Sequence, residues 1–267
     1  MEMTLRWYGE GNDSVTLEQI RQIPGVSGVI TALHDIPAGE AWTYEDVMKR
    51  KQEVEAKGLK LCGVESINVH EDIKIGLPTR DKLIEDYCKS LEAVGKAGIH
   101  LVCYNFMPVF DWTRTDLAMP LEDGSTALAY DSSIIDGINA SEMFDRIEKA
   151  SGGFVMPGWE PNRRDEIMDL FDKYKDVTAD KLRENFKYFL DGIMPTCEKY
   201  QIKMAVHPDD PAWDVFGLPR IVTCEDDLLK IASLNSSIYN GFTFCTGSLG
   251  SNLNNDLPKI IRNPKIA

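Results

Sequence analysis

Two stretches decide how this chain folds: Met204-Ala-Val-His-Pro-Asp-Asp-Pro211 and Gly241-Phe-Thr-Phe-Cys-Thr-Gly-Ser-Leu-Gly250. Each is a short apolar run that ends in a side chain able to bind metal, His207 or Cys245. Each then breaks into a polar turn rich in Pro or Gly. Two strands of a (β/α)8 barrel would read this way, each delivering one side chain at its C-terminal end, where such barrels carry their chemistry. Imidazole and thiolate together suit a divalent transition metal. Proline disfavours helical backbone in the residue before it, so His207 is expected where its strand leaves the sheet. Taken singly, His207 reads more readily as a structural strand-end residue than as a ligand, and Cys245 as a small buried apolar one. The carboxylates Asp209 and Asp210 shift the reading of His207, since either could orient an imidazole from outside the ligand set. They are also the candidates for acid or base. Thr246-Gly247-Ser248 could offer backbone amides to an anionic group.

Working outward, strand and helix patterns alternate. Strands are expected at Met3–Tyr8, Val26–Thr31, Leu59–Glu65, Ile99–Tyr104, Ile202–His207 and Phe242–Cys245. Helices are expected at Leu17–Gln22, from Thr43 to Ala56, from Thr79 to Gly98, from Thr178 to Tyr200 with a weak point before Pro195, and at Asp226–Ser233. Strands separated by helices imply a parallel sheet with right-handed crossovers. The apolar runs Gly28-Val-Ile-Thr and His100-Leu-Val-Cys-Tyr suit a sheet covered on both faces. A doubly wound sheet would usually show a Gly-rich first turn, whereas the first strand here runs into Gly9-Glu-Gly-Asn without G-x-G-x-x-G. The fold class is therefore α/β, a TIM-type barrel. About six βα units are visible where a closed barrel has eight.

One stretch interrupts the alternation. Between Asn105 and about residue 177 no parallel strand is expected. It holds Asp111-Trp-Thr-Arg, a hairpin around Glu122-Asp-Gly-Ser125, a short helix near Ser141–Ala150, the pair Gly152-Gly153, and a helix from Glu160 to Tyr174. An insertion of this length after a barrel strand reads as a lid over the mouth or a subunit contact. The rest of residues 1–267 reads as one barrel domain.

Composition narrows the partners. A net charge of −14, from 43 acidic and 29 basic residues, argues against nucleic acid or an anionic membrane. No run of about 18 apolar residues is present to span a bilayer. The six cysteines show no CxxC pairing, and Met1-Glu-Met-Thr-Leu-Arg opens no secretory segment, so reduced thiols and a cytoplasmic location are expected. The remaining candidates lie at strand ends. Glu65 and Asn105 close the third and fourth strands, and Arg6, Trp7 and Arg114 are reasonable partners for a carboxylate and hydroxyls. His70 and Glu71, which follow the third strand, are read as either mouth residues or an exposed loop pair. Cys62, Cys88, Cys103, Cys197 and Cys224 are read as inert.

Several of these segments resemble the bacterial mannonate dehydratase family. They are Leu5-Arg-Trp-Tyr-Gly9, Glu18-Gln-Ile-Arg-Gln-Ile-Pro-Gly25, Leu101-Val-Cys-Tyr-Asn-Phe-Met-Pro108, Trp112-Thr-Arg-Thr-Asp-Leu-Ala118, His207-Pro-Asp-Asp-Pro211, Phe216-Gly-Leu-Pro-Arg220 and Phe244-Cys-Thr-Gly-Ser-Leu-Gly-Ser251. The resemblance runs to about Arg262. It implies a xylose-isomerase-like barrel and metal-dependent removal of water from D-mannonate, giving 2-keto-3-deoxy-D-gluconate in hexuronate breakdown. It also implies Mn2+ or Fe2+ as cofactor, with His207 and Cys245 among the ligands. A homo-oligomer is expected. Members of that family continue past this point with two further strands, another metal-binding His and an Asp ligand, so the barrel is expected to be incomplete. Two other readings stand beside this one: an inactive truncated remnant or assembly subunit, and another sugar-acid isomerase or epimerase of the same barrel superfamily.

Overall fold

The computed structural model describes residues 2–135, 142 and 164–266. Six parallel strands form one sheet among them: β1 (Met3–Arg6), β2 (Val26–Thr31), β3 (Lys60–Glu65), β4 (Leu101–Tyr104), β7 (Lys203–Val206) and β8 (Asn240–Phe242). Their spatial order is β1-β2-β3-β4-β7-β8, so each strand lies beside the next parallel strand in the chain. A doubly wound sheet would reverse order partway. A sheet that keeps winding in one direction, with helices in every crossover, is a (β/α) barrel arrangement.

The helices form where their caps predict. α1 (Leu17–Arg21) starts with a reciprocal capping box, Thr16 accepting from the Gln19 amide and the Gln19 side chain accepting from the Thr16 amide. α2 (Tyr44–Ala56) is capped by Thr43, which accepts from the Asp46 amide at 3.1 Å. α3 (Glu71–Ile75) is capped by His70 and ends at Gly76, whose positive φ of 87° suits only glycine comfortably. α4 (Arg80–Lys96) starts one residue after Thr79, but that side chain does not cap it; the Thr79 hydroxyl bonds Asp72 at 2.6 Å instead. Helices α3 and α4 are followed, after the insertion, by the longest helix, Ala179–Tyr200. It continues through Pro195, where a weak point was expected, and buries apolar residues from Leu182 to Cys197.

That packing positions the site. Phe186, Phe189, Leu190 and Ile193 of the long helix are fully buried against α4 and the end of β4. Phe106 stacks on Phe186 with ring centroids 4.5 Å apart, and Tyr87 meets Phe189 edge-on at 5.0 Å. The helices approach closely at Gly192, where a Cβ would lie 2.7 Å from Ile84 Cγ2.

The insertion carries an antiparallel hairpin, β5 (Asp116–Pro120) and β6 (Thr126–Ala129), around the turn the sequence predicts. α5 (Ser132–Ile135) and α6 (Arg164–Tyr174) follow, and the long helix Ala179–Tyr200 is then α7. The expected helix near Ser141–Ala150, apart from residue 142, and the Gly152-Gly153 pair lie outside the described residues, as does the start of the Glu160–Tyr174 helix. A separate apolar cluster of Val109, Phe110, Ile135, Ile167, Leu170, Tyr174 and Leu218 holds the insertion against the loops after β4 and β7. The last helices are α8 (Glu225–Leu234), α9 (Thr246–Ser251) and α10 (Leu257–Ile261). Among the described residues no helix is long and apolar enough to cross a membrane.

Most strands are a residue or two shorter than expected, and the last is shifted. The strand read as Phe242–Cys245 is Asn240–Phe242. Thr243 still donates its amide to Val206 at 2.9 Å, but the chain then turns, and Cys245 becomes the N-cap of α9.

Candidate functional site at the barrel mouth

The C-terminal ends of the strands bring the candidate side chains together. Arg6 is the last residue of β1 and Glu65 the last of β3. Parallel pairing through β2 aligns these ends, and Arg6 Nη1 meets Glu65 Oε2 at 2.7 Å. Asn105 and His207 each follow the last residue of their strand, and the His207 amide donates to the Tyr104 carbonyl at 2.6 Å. The sheet therefore carries its ladder one residue further and fixes where the imidazole starts.

The side chains of His207 and Cys245 face each other closely enough that each shifts the titration of the other. His207 Nδ1 lies 2.7 Å from the Pro208 carbonyl, which can only accept. That nitrogen therefore holds a proton, and Nε2 is the one free for another partner. The His207 imidazole draws the Cys245 thiol down to about 6 against the effect of burial, and the Ser248 hydroxyl and amide add to it. Burial works against a charged imidazole, but Cys245, with the Pro208 carbonyl, raises His207 to about 9. The pair is thus a thiolate and an imidazolium at neutral pH. The Ser248 amide and hydroxyl lie 3.5 and 3.3 Å from the sulfur. This is the amide donation the Thr246-Gly247-Ser248 turn suggests, directed at the thiolate itself.

The donor chemistry fits a borderline divalent cation, since a nitrogen and a sulfur donor face each other there. Among the described residues, however, no group of three or more His, Cys, Asp or Glu side chains is arranged to hold a metal.

The other sequence candidates are placed differently from one another. Trp7 is buried in the main core, 3% exposed, beside the Arg50 guanidinium. Asp209 is also buried, and its Oδ2 accepts from the amides of Ile221 and Val222 at 2.7 and 2.8 Å. Burial pushes its carboxyl up, against the pull of Arg220 and those amides. Its contacts hold the loop after β7 to the segment before α8. Asp210 forms a two-pronged ion pair with Arg114, at 2.8 and 3.0 Å. Cys103 is buried beside Thr243 at 3.1 Å, and burial pushes its thiol up to about 12, in line with an inert role.

His70 and Glu71 do reach the mouth. Both line a cavity of about 690 Å3, together with Lys74, Asn105 and Asp111. A smaller cavity of about 130 Å3 also borders Asp111, with Arg6, Ser66 and Asn68 in its wall. Sequence reasoning passed over Asp111, although its place six residues after a strand-end Asn, at the start of the insertion, was a signal.

Parallel strands wound in one direction, with Arg, Glu, Asn, His and Cys side chains gathered at their C-terminal ends, define a (β/α)-barrel enzyme. The sequence matches the D-mannonate dehydratase (UxuA) family over residues 1–265. Mannonate dehydratase from Brachyspira hyodysenteriae is 61% identical over 265 residues, covering 99% of this chain and 75% of that protein. The Thermotoga maritima enzyme of the same name is 53% identical over 262 residues, 98% and 73% of the two chains. The crystal structure of mannonate dehydratase from Streptococcus suis serotype 2 superposes with a TM-score of 0.86 at 44% identity, over 97% of this chain and 68% of that one. The chain belongs to the D-mannonate dehydratase family and is a hydro-lyase by that membership.

Proposed function

We propose that this protein removes water from D-mannonate to give 2-keto-3-deoxy-D-gluconate, as a cytoplasmic step of hexuronate breakdown. Family membership over nearly the whole chain supports the reaction. The observation that carries the site is the contact between His207 and Cys245 at the barrel mouth.

Dehydration of a 2,3-dihydroxy acid begins with loss of the C2 proton, α to a carboxylate. That proton is weakly acidic, and a bound divalent cation, Mn2+ or Fe2+, would supply charge stabilisation for the developing enediolate. His207, through Nε2, and Cys245, through its thiolate, are the residues that would hold it. Arg6, Glu65 and Asn105, at the C-terminal ends of their strands, are the residues that would meet the substrate carboxylate and hydroxyl groups. Arg114 acts near the substrate as part of its pair with Asp210, and Asp209 fixes the loop that carries His207. The insertion, whose described part packs through an apolar cluster against the loops after β4 and β7, would serve as the lid that excludes water from the reaction.

The test is direct. The protein is incubated with D-mannonate and Mn2+, and NMR follows loss of the C2 proton and growth of a 3-deoxy-2-keto acid. Turnover of mannonate over other hexonates is expected. Preference for a different hexonate, or isomerisation without loss of water, would assign another sugar-acid reaction.

A further inference from the structure

The loop between β4 and the insertion is fixed more firmly than a connecting loop needs. Glu71 Oε2 accepts from the Val109 amide at 3.0 Å and from the Tyr174 hydroxyl at 2.6 Å. Lys74 Nζ, nearly buried, bonds Glu71 Oε1 at 2.6 Å and the Met107 carbonyl at 2.7 Å. The Phe110 carbonyl accepts from the buried Arg220 at 3.2 Å. Val109 itself has φ of 61°, a conformation that β-branched residues rarely adopt. Strain of this kind persists where surrounding contacts impose it, and it gathers at functional sites.

What these contacts hold in place is Asp111. It borders both mouth cavities, the one with Arg6, Ser66 and Asn68 and the one with Asn105 and Lys74. Asn105 Oδ1 accepts from the Met107 amide at 3.2 Å, which fixes the orientation of that side-chain amide. Its Nδ2 therefore faces Asp111 and donates to Oδ1 at 2.8 Å. Among the described residues no hydrogen bond occupies Asp111 Oδ2. Desolvation pushes the carboxyl up from the ordinary range, against the opposing charges of Lys74, His207, Arg220 and Arg6.

We propose that Asp111 is a catalytic residue, the acid that protonates the departing C3 hydroxyl, held for that purpose by Asn105 and the strained loop. This rests on the dehydratase reading above. As a base takes the C2 proton, the C2–H electron pair becomes the π bond of a C2=C3 double bond. The C3–O bond breaks with its pair on oxygen. The Asp111 proton joins that oxygen, and water leaves. Asp111 is left as a carboxylate and regains its proton from solvent, while the enol product tautomerises to the 2-keto acid. A carboxyl group whose burial favours the protonated form, bordering both cavities and held by Asn105, matches what a leaving hydroxide requires.

The experiment compares two leaving groups in one variant. Asp111→Asn keeps an oxygen for the Asn105 bond but cannot supply the proton. With D-mannonate and Mn2+, kcat should fall by ~10²–10⁴-fold, with KM and bound Mn2+ near those of the parent. With 3-deoxy-3-fluoro-D-mannonate, whose fluoride leaves without protonation, the loss should be less than ~10-fold. The ratio of the two losses does not depend on how much of the variant folds. Equal losses on both substrates, or mannonate turnover within a few-fold of the parent, would overturn the assignment. If the unsubstituted protein does not dehydrate mannonate, the dehydratase reading fails first and the role of Asp111 fails with it.

Discussion

Arg114 and Asp210 are 96 residues apart in the chain and joined by two parallel hydrogen bonds, 2.8 and 3.0 Å long. The pair ties the insertion to the loop after β7, and the Thr113 amide adds a bond to the Asp210 carbonyl at 3.1 Å. The two side chains are only 21% and 14% exposed, so solvent screens the pair weakly. A urea-unfolding cycle through Arg114→Ala, Asp210→Ala and the double variant should give a coupling of about 1–3 kcal/mol. Arg114→Lys should lose most of it, because a lysine cannot span both carboxylate oxygens. Additive single effects would show that the pair does not join these segments.

Metal binding is expected to depend on both site residues. After dialysis against Mn2+ and removal of free ion, the parent should retain the metal. His207→Ala and Cys245→Ala should each weaken binding by more than the ~10–100-fold that loss of an outer-shell partner costs. Metal analysis by plasma emission reads this without reference to activity. Unchanged metal content in both variants would remove these residues from the ligand set.

The Cys245 thiol gives a pH-dependent signal in the metal-free protein. A pKa near 6 makes it mostly thiolate at pH 7, so iodoacetamide should modify it well before Cys103 or Cys197, both pushed up to about 12 by burial. The rate should rise with pH through about 6 and then level off. Replacing His207 with Ala removes the main cause of the depression and returns the thiol toward its ordinary range. At pH 7 the thiolate fraction would then fall by roughly 90-fold, while a more basic sulfur is about 20-fold more nucleophilic. The net slowing should be several-fold, with the plateau moved to higher pH. Peptide mass mapping of the alkylated protein checks both the order of reaction and the shift.

Much of the barrel was legible because local chemistry and tertiary structure agree there. Thr43 and Thr178 cap the helices they were expected to cap, and Val26–Thr31 is a strand with the predicted ends. His207 was legible because proline fixes where its strand stops. Cys245 was found for its chemistry but misplaced in its backbone, since its own side chain nucleates the next turn and draws the chain out of the sheet. Trp7, expected to meet substrate, lies in the core: the apolar interior claims its large ring, and adjacency to Arg6 in sequence puts successive strand side chains on opposite faces. Asp111 and the Arg114–Asp210 pair were not legible as a site. Their positions depend on Glu71, Lys74, Tyr174 and Asp210, which come from distant parts of the chain, and no local periodicity encodes such contacts.

Close helix packing makes Gly192 a sensitive position. Alanine normally favours a helix over glycine by about 1 kcal/mol. Here the added Cβ would sit 2.7 Å from Ile84 Cγ2, on a branch point that cannot swing aside as a flexible chain end would. Overpacking of this kind costs about 1–3 kcal/mol, so Gly192→Ala should lower stability in thermal or urea unfolding despite its better propensity. Pairing it with Ile84→Ala, which removes the opposing methyl, should recover part of what the clash costs. A more stable Gly192→Ala protein would mean that α4 and α7 are packed less closely than described.

Asp209 separates a structural carboxylate from a reacting one. Both backbone amides that it binds, Ile221 and Val222, reach the same oxygen, Oδ2. An asparagine can place its carbonyl oxygen there and accept both, whereas alanine leaves two buried donors unpaired. At about 1–3 kcal/mol for each unsatisfied group, Asp209→Ala should cost several kcal/mol and Asp209→Asn far less. The sign with pH follows from burial. A carboxyl whose pKa is raised on folding contributes stability below its unfolded value, which is lost as pH rises through the folded one. Asp209→Asn should therefore lose less stability than the parent as pH rises from the unfolded value through the folded one. Dehydration by Asp209→Asn should stay within a few-fold of the parent, because the loop that presents His207 keeps its anchors. A variant that folds normally but loses turnover by orders of magnitude would instead make Asp209 a participant in the chemistry.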